Sequence, residues 1–291
     1  MVRSQGRLHA LARLIRVEHT LFGLPYAYLG GLLGGSMTLR ELLLITLAVF
    51  GLRTAAMAYN NIADLDIDRL NPRSSKRPLV TGAASMRDAW LLVAFGSILY
   101  YLSAALLNKY ALILSPILWI VAMTYPHAKR YHSFPHIHLG LTLGLVVFGG
   151  TIATYGDVAK SLYDALARVP WDLVVAVTCW VAGFDVIYSI MDVEFDRRLR
   201  LGSIPARYGE RRAIQASTLC HAVYLAILGL AIPRYGLGLV GIATYIVTAA
   251  LIAYEQYLVY REGFEAIPRA FNTNLLVGVV VGIGYSLALI V

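Results

Sequence analysis

Charge is scarce in this chain. Of 291 residues only 14% are Asp, Glu, Lys or Arg, while 58% are hydrophobic and the mean hydropathy is +0.65. That balance excludes an ordinary soluble globular domain. Cysteine is nearly missing: Cys179 and Cys220 both lie in apolar stretches, where a thiol behaves as a small hydrophobe, so neither a disulfide framework nor a cysteine metal site is expected. Long polar segments are lacking too, which leaves no room for a separate soluble domain or a disordered tail. A single integral-membrane domain is expected over residues 1–291, with any site built from helices and their connections. Heptads, low-complexity tracts and short-period repeats are also missing.

What is present is a series of nine apolar stretches, roughly 19–37, 42–61, 89–107, 110–126, 137–156, 173–191, 213–232, 235–254 and 270–291, each near the length of about 20 residues that crosses a bilayer. They predict an all-α polytopic membrane protein of nine transmembrane helices. The first follows a basic segment and ends near Gly34, Gly35 and Ser36, which resembles a signal peptide. It is longer than a signal core, however, and eight more stretches follow, so a first span is expected.

The net charge of +8 raises nucleic acid as a partner, but the positions of the charges argue otherwise. With the N-terminus cytoplasmic, 19 of the 25 basic residues fall on the cytoplasmic side and 5 on the other, with Arg53 inside the second span. This asymmetry orients the chain in the cell membrane and accounts for the basic excess, so no nucleic acid is expected.

The second span ends in Asn60, Asp64 and Asp68 at intervals of four, and the sixth in Tyr188, Asp192 and Asp196 at the same intervals. On a helix this spacing puts each set on one face, rising about 6 Å per step. The two sets lie 128 residues apart, counted from Asp64 to Asp192, so the chain reads as two similar helical halves. One such ladder could be a solvated helix end; two ladders, each at the cytoplasmic end of a span and each followed by basic residues, are poorly explained that way. The basic residues are Arg69, Arg73, Lys76 and Arg77 after the first, and Arg197, Arg198 and Arg200 after the second. Paired carboxylates suit Mg²⁺, which takes one or two of them and completes its shell with water and phosphate oxygens. Carboxylates, metal and basic side chains together form an environment for a diphosphate. Asp66 faces away from Asp64 and Asp68 and is expected to be solvated.

These residues resemble the UbiA-type intramembrane prenyltransferases, of the 4-hydroxybenzoate polyprenyltransferase kind. The run Asn60-x3-Asp64-x3-Asp68-x4-Arg73-Ser74-x2-Arg77-Pro78-Leu79-x2-Gly82 follows that family's first signature, and Tyr188-x3-Asp192-x3-Asp196 its second. Tyr125-Pro126-x2-Lys129-Arg130 resembles its middle loop, and Arg16 with Leu24-Pro25 its entry to the first span. Tyr188 departs from the first motif, where Asn stands, so the second metal shell is expected to lack an amide. The resemblance implies Mg²⁺-dependent transfer of a prenyl group, geranyl or longer, from its diphosphate to an aromatic acceptor such as 4-hydroxybenzoate. It also implies Mg²⁺ between the two Asp motifs, and the two halves arranged around a central cavity that is open sideways to membrane lipid for the tail.

On this reading Asp64 and Asp68 bind one Mg²⁺, Asp192 and Asp196 a second, and Asn60 adds a ligand. Lys129 and Arg130 meet the phosphate oxygens, assisted by Arg73, Lys76 and Arg77, and the ionised allylic cation is kept from water in a dry, aromatic cavity. Tyr125 and Tyr188 are candidate lining residues, and Arg16 a contact to acceptor or phosphate. Arg53 and Asp185 each lie seven residues before a motif residue inside a span, where a charge needs a partner or a cavity. Either they pair with each other, or Arg53 binds an acceptor carboxylate while Asp185 takes the ring proton or orients the hydroxyl. The histidines, including His19, His136 and His221, show no zinc spacing and receive no role. Two other functions stay open: prenyl transfer to a haem, chlorophyll, naphthoate or glyceryl phosphate acceptor, and a cation-coupled secondary transporter. Transporter sites lie near the bilayer midplane, which disfavours the latter.

Overall fold

The computed structural model describes residues 2–16 and 20–291; His19 and the start of the first expected span lie outside them. Among the described residues the chain is wholly helical. An N-terminal helix, α1 (Val2–Ile15), precedes nine longer ones: α2 (Thr20–Gly34), α3 (Leu39–Ala63), α4 (Met86–Leu107), α5 (Lys109–Thr124), α6 (Pro135–Tyr155), α7 (Trp171–Ser189), α8 (Glu210–Tyr235), α9 (Gly238–Tyr257) and α10 (Ile267–Ile290). Among the described residues, eight helices are long and apolar enough to cross a membrane. The expected first span corresponds to α2, described over 15 residues with Pro25 inside it.

Local chemistry sets the ends. Thr38 with Glu41 and Ser85 with Asp88 form capping boxes at the starts of α3 and α4, satisfying amides that the helices leave unpaired. Asn108 caps α5, accepting from the Ala111 amide. Proline opens α6, where the missing amide costs nothing. Glycine permits the closest crossings: a Cβ on Gly51 or Gly96 would collide with backbone where α3 meets α4. In lipid, where apolar surface gains nothing from association, such backbone approach is what binds helices together.

Helices α2–α5 and α6–α9 repeat one order. α2 packs on α3 and α3 on α4; α6 packs on α7 and α7 on α8; α2 and α6 face each other at the centre. α10 has no counterpart and wedges between α9 and α2. A cavity of about 700 Å³ is lined mostly from α2–α7, with Phe271 the lining residue of α10. The other side of the bundle is filled. There Trp180 stacks on Tyr224 and donates to Asn274 Oδ1, Tyr26 and Tyr224 share a hydroxyl hydrogen bond, and Tyr285 bonds the Leu228 carbonyl.

Candidate active site

The two motif helices are not straight through their ladders. α3 ends at Ala63 and a short helix, Leu65–Asp68, follows; α7 ends at Ser189 and passes through a 3₁₀ turn, Ile190–Asp192, into Val193–Leu199. Both breaks fall on the motif's first aspartate. Asp64 has φ −98°, ψ 4° and Asp192 φ −109°, ψ 7°, the sparsely allowed bridge region in which many active-site residues sit. The expected uniform rise along one helix face is therefore corrected to a bend shared by both motifs.

The bends bring the motifs together. Arg73, from the loop after the first motif, bonds both carboxylate oxygens of Asp192, with Nε to Oδ1 at 3.0 Å. Asn71 Nδ2 reaches the same Oδ1 at 3.0 Å, while its own Oδ1 accepts from the Arg73 amide. Arg77 pairs with Asp68, Lys129 Nζ sits 2.7 Å from Asp64 Oδ2, and Ser203 donates to Asp196 at 2.8 Å. Asp64 and Asp68 are only 3% and 4% exposed. Burial pushes the Asp68 carboxyl up despite Arg77 beside it. At Arg73 burial works against the charge, yet hydrogen bonds and charge from Asp192 and Tyr188 raise its pKa further.

Asn60, Lys76, Tyr125, Arg16, Arg53, Asp185 and Tyr188 also line the cavity. Asn60 Nδ2 lies 3.5 Å from Asp64 Oδ2. Arg16 holds a left-handed backbone, φ 47°, at the end of α1, which is tied down by Arg7 to Asp88 and by Asn61 to the Leu14 carbonyl. The Tyr188 ring supports the Arg73 guanidinium at 4.6 Å and packs on Phe271 at 4.6 Å. The amide missing at position 188 is thus supplied to Asp192 from across the site by Asn71.

Two expectations are corrected. Arg130 does not line the cavity: its guanidinium bonds Asp66 and the Ala63 carbonyl, and Asp66, expected to be merely solvated, is held below its usual pKa by that contact. The second basic cluster also turns away. Arg197 bonds the Ala206 and Pro205 carbonyls and pairs with Glu210, Arg198 lies over Phe195, and Arg200 adopts a left-handed cap. Asp185, for which the sequence left open a pairing with Arg53 or a role at the acceptor, is met by His136, whose Nδ1 lies 2.7 Å from Asp185 Oδ2. His136 Nε2 accepts from the Ile204 amide at 3.3 Å, which leaves Nδ1 as the donor to Asp185.

Sequence reasoning missed Asn71, His136 and Ser203. The Asn71-Pro72 pair was a turn signal; nothing local marked the other two, because their partners come from other helices. The motif carboxylates are the side chains here that could hold a divalent cation. Asp64 Oδ1 is buried without a hydrogen bond, with the Arg130 guanidinium 3.8 Å away and Lys129 on the other oxygen, so this carboxylate sits in a cationic environment. Among the described residues no three acidic, histidine or cysteine side chains form one metal cage. Pairs of carboxylates that leave coordination sites for phosphate oxygens suit Mg²⁺ in particular.

Comparison with known proteins agrees with this geometry. A family model described as "UbiA prenyltransferase family" matches residues 23–277. A 4-hydroxybenzoate octaprenyltransferase of Alkalilimnicola ehrlichii is 32% identical over 262 residues, covering 88% of this chain and 84% of the relative. Among solved structures, the apo UbiA homolog from Aeropyrum pernix K1 is 53% identical with a TM-score of 0.88, covering 92% of this chain and 96% of that one. A UbiA homolog from Archaeoglobus fulgidus bound to DMAPP and Mg²⁺ shares the fold, with 20% identity, a TM-score of 0.66 and coverage of 94% and 99%.

Proposed function

This chain belongs to the UbiA prenyltransferase family and is an integral-membrane prenyltransferase, and from that premise we propose that it transfers a prenyl group from a prenyl diphosphate to an aromatic acceptor, 4-hydroxybenzoate by preference. One observation carries the reading: two aspartate pairs meet at one end of a cavity that is otherwise largely apolar, with Arg73 on Asp192 and Lys129 on Asp64.

Asp64, Asp68, Asp192 and Asp196, with Asn60, would hold Mg²⁺, which when bound neutralises the charge that develops on the departing diphosphate. Lys129, Arg73, Lys76 and Arg77 donate to the remaining phosphate oxygens. The allylic C–O bond breaks and the diphosphate leaves with the electron pair. An acceptor ring carbon then bonds the allylic carbon and loses its proton to Asp185, which His136 positions. Arg53, about 10 Å deeper than Asn60 along α3, receives the acceptor's carboxylate. Tyr125 and Tyr188 wall the reaction from water. The N-terminus and the site loops lie on the cytoplasmic side of the cell membrane, consistent with the basic excess there.

The test is Mg²⁺-dependent pyrophosphate release from geranyl diphosphate by detergent-purified protein, with and without 4-hydroxybenzoate. Release that needs both metal and benzoate is the expected result. Release with metal alone would keep the diphosphate site and reject the acceptor.

A further inference from the structure

Past the second motif the chain turns back onto the site. The helix Val193–Leu199 stops where Arg200 takes a left-handed backbone, φ 57°, and the Leu201 amide bonds the Asp196 carbonyl at 2.9 Å. Arg197 then clasps the Pro205 and Ala206 carbonyls. The hairpin closed in this way brings Leu201, Gly202 and Ser203 to the cavity wall.

Three consecutive residues of this hairpin each hold a different functional group. The Gly202 amide donates to the Lys129 carbonyl at 2.6 Å, and Lys129 is the residue whose ammonium meets Asp64. Ser203 is buried and accepts from the Ala206 amide at 3.3 Å as the cap of the short helix Ile204–Tyr208, which leaves its hydroxyl proton for Asp196 at 2.8 Å. The Ile204 amide donates to His136 Nε2 at 3.3 Å, and the other nitrogen of that ring meets Asp185. Successive Cα atoms are 3.8 Å apart, so all three contacts issue from about 8 Å of backbone. This stretch has little freedom to slide. A Cβ on Gly202 would collide with the His132 carbonyl, so the segment lies directly on the backbone of the loop between α5 and α6.

We infer that Gly202, Ser203 and Ile204 are a positioning segment that couples the donor end of the site to the acceptor end. Each acts through the group it holds. Two of those groups, Lys129 and Asp196, are the ones that engage diphosphate and Mg²⁺; the third is the ring that orients Asp185. Immobilising the first two immobilises the segment, so the acceptor meets a proton acceptor already in place and loses less freedom on binding. Linkage makes the effect reciprocal, with acceptor tightening the donor by the same factor. The inference rests on the donor and acceptor sites proposed above.

The experiment measures equilibrium binding to the whole protein in nanodiscs, with no turnover. Affinity for 4-hydroxybenzoate is measured without donor, and again with saturating Mg²⁺ and the unreactive geranyl thiolodiphosphate. In the wild-type protein the donor should tighten benzoate about fivefold or more. Ser203→Ala should bring that ratio close to one, and Ser203→Thr, which keeps the hydroxyl, should restore it. His136→Gln breaks the link at its other end and should also bring the ratio close to one. Thermal unfolding identifies the variants that remain folded. A merely structural defect would weaken benzoate equally in both states and leave the ratio at its wild-type value, so a folded Ser203→Ala or His136→Gln that keeps that value would overturn the coupling. A wild-type ratio of one, with both ligands bound, would overturn the coupling alone. Wild-type protein that fails to bind the thiolodiphosphate with Mg²⁺ would overturn the donor reading and the coupling with it; thiolodiphosphate binding with no benzoate binding in either state would overturn the acceptor reading and the coupling.

Discussion

Around α3 the bundle encloses a cavity of about 700 Å³, whereas the far side of α7, in the matching place of the second half, is packed solid by Trp180, Tyr224 and Tyr285. The helix orders of the two halves correspond, as do the bridge-region aspartates at the ends of α3 and α7. The difference comes from the unpaired helix. α10 carries Asn274, Val277, Val281 and Tyr285, all buried, into the space that its half would otherwise leave open. A repeated architecture thereby gains one chamber, walled by α2–α5 on one side and by α6 and α7 on the other, while the space behind α7 is filled.

The comparison can be tested from its strongest consequence downward. Asp64→Ala and Asp192→Ala, one from each half, should each lower kcat by at least roughly 10²–10³-fold in the pyrophosphate-release assay while the protein still purifies as a folded membrane protein. Retained turnover in either would mean that only one half supplies metal ligands. Next comes Trp180→Ala in the solid half, expected to cost about 3–5 kcal/mol in thermal or denaturant unfolding. Leu118→Ala on the cavity wall should cost far less, and equal losses would erase the distinction between hollow and solid.

Asp185→Asn should reduce kcat about 10²-fold with diphosphate binding intact, because the ring proton loses its acceptor; a pure binding defect would reassign Asp185 to structure. Arg53→Ala should raise the acceptor KM about tenfold or more through loss of a charged partner and spare diphosphate affinity, whereas equal loss of both would point to a packing role. The smallest effect is Asn71→Ala, about fivefold, seen as weaker Mg²⁺ dependence of the rate. No change there would show that the amide reaching Asp192 is dispensable.

Local pattern made much of this legible. Apolar runs located the spans to within a few residues at most ends, and the spacing of Asn60, Asp64 and Asp68 against Tyr188, Asp192 and Asp196 located both motifs. Spacing carries no information about what lies across a helix interface. It could not show that His136 would face Asp185, that Arg130 would turn to Asp66, or that Asn71 would supply the amide lacking at Tyr188. Nor could it show on which side of α7 the bundle would be hollow, since that depends on how α10 packs and not on the periodicity of α10 itself.

The cross-connections at the site have a consequence for how the protein is made. The first half lends Asn71 and Arg73 to Asp192, and the loop between the halves meets the second motif's tail, where the Gly202 amide bonds the Lys129 carbonyl. On the proposed mechanism, a ribosome that has delivered only the first half into the membrane has therefore delivered no working catalyst. Diphosphate cleavage can begin only after residues near Ser203 have emerged, by which time most of the walls that keep water from the cation are already threaded through the bilayer. An unfinished chain is thus prevented by its own construction from squandering the cell's prenyl donors as hydrolysed alcohols.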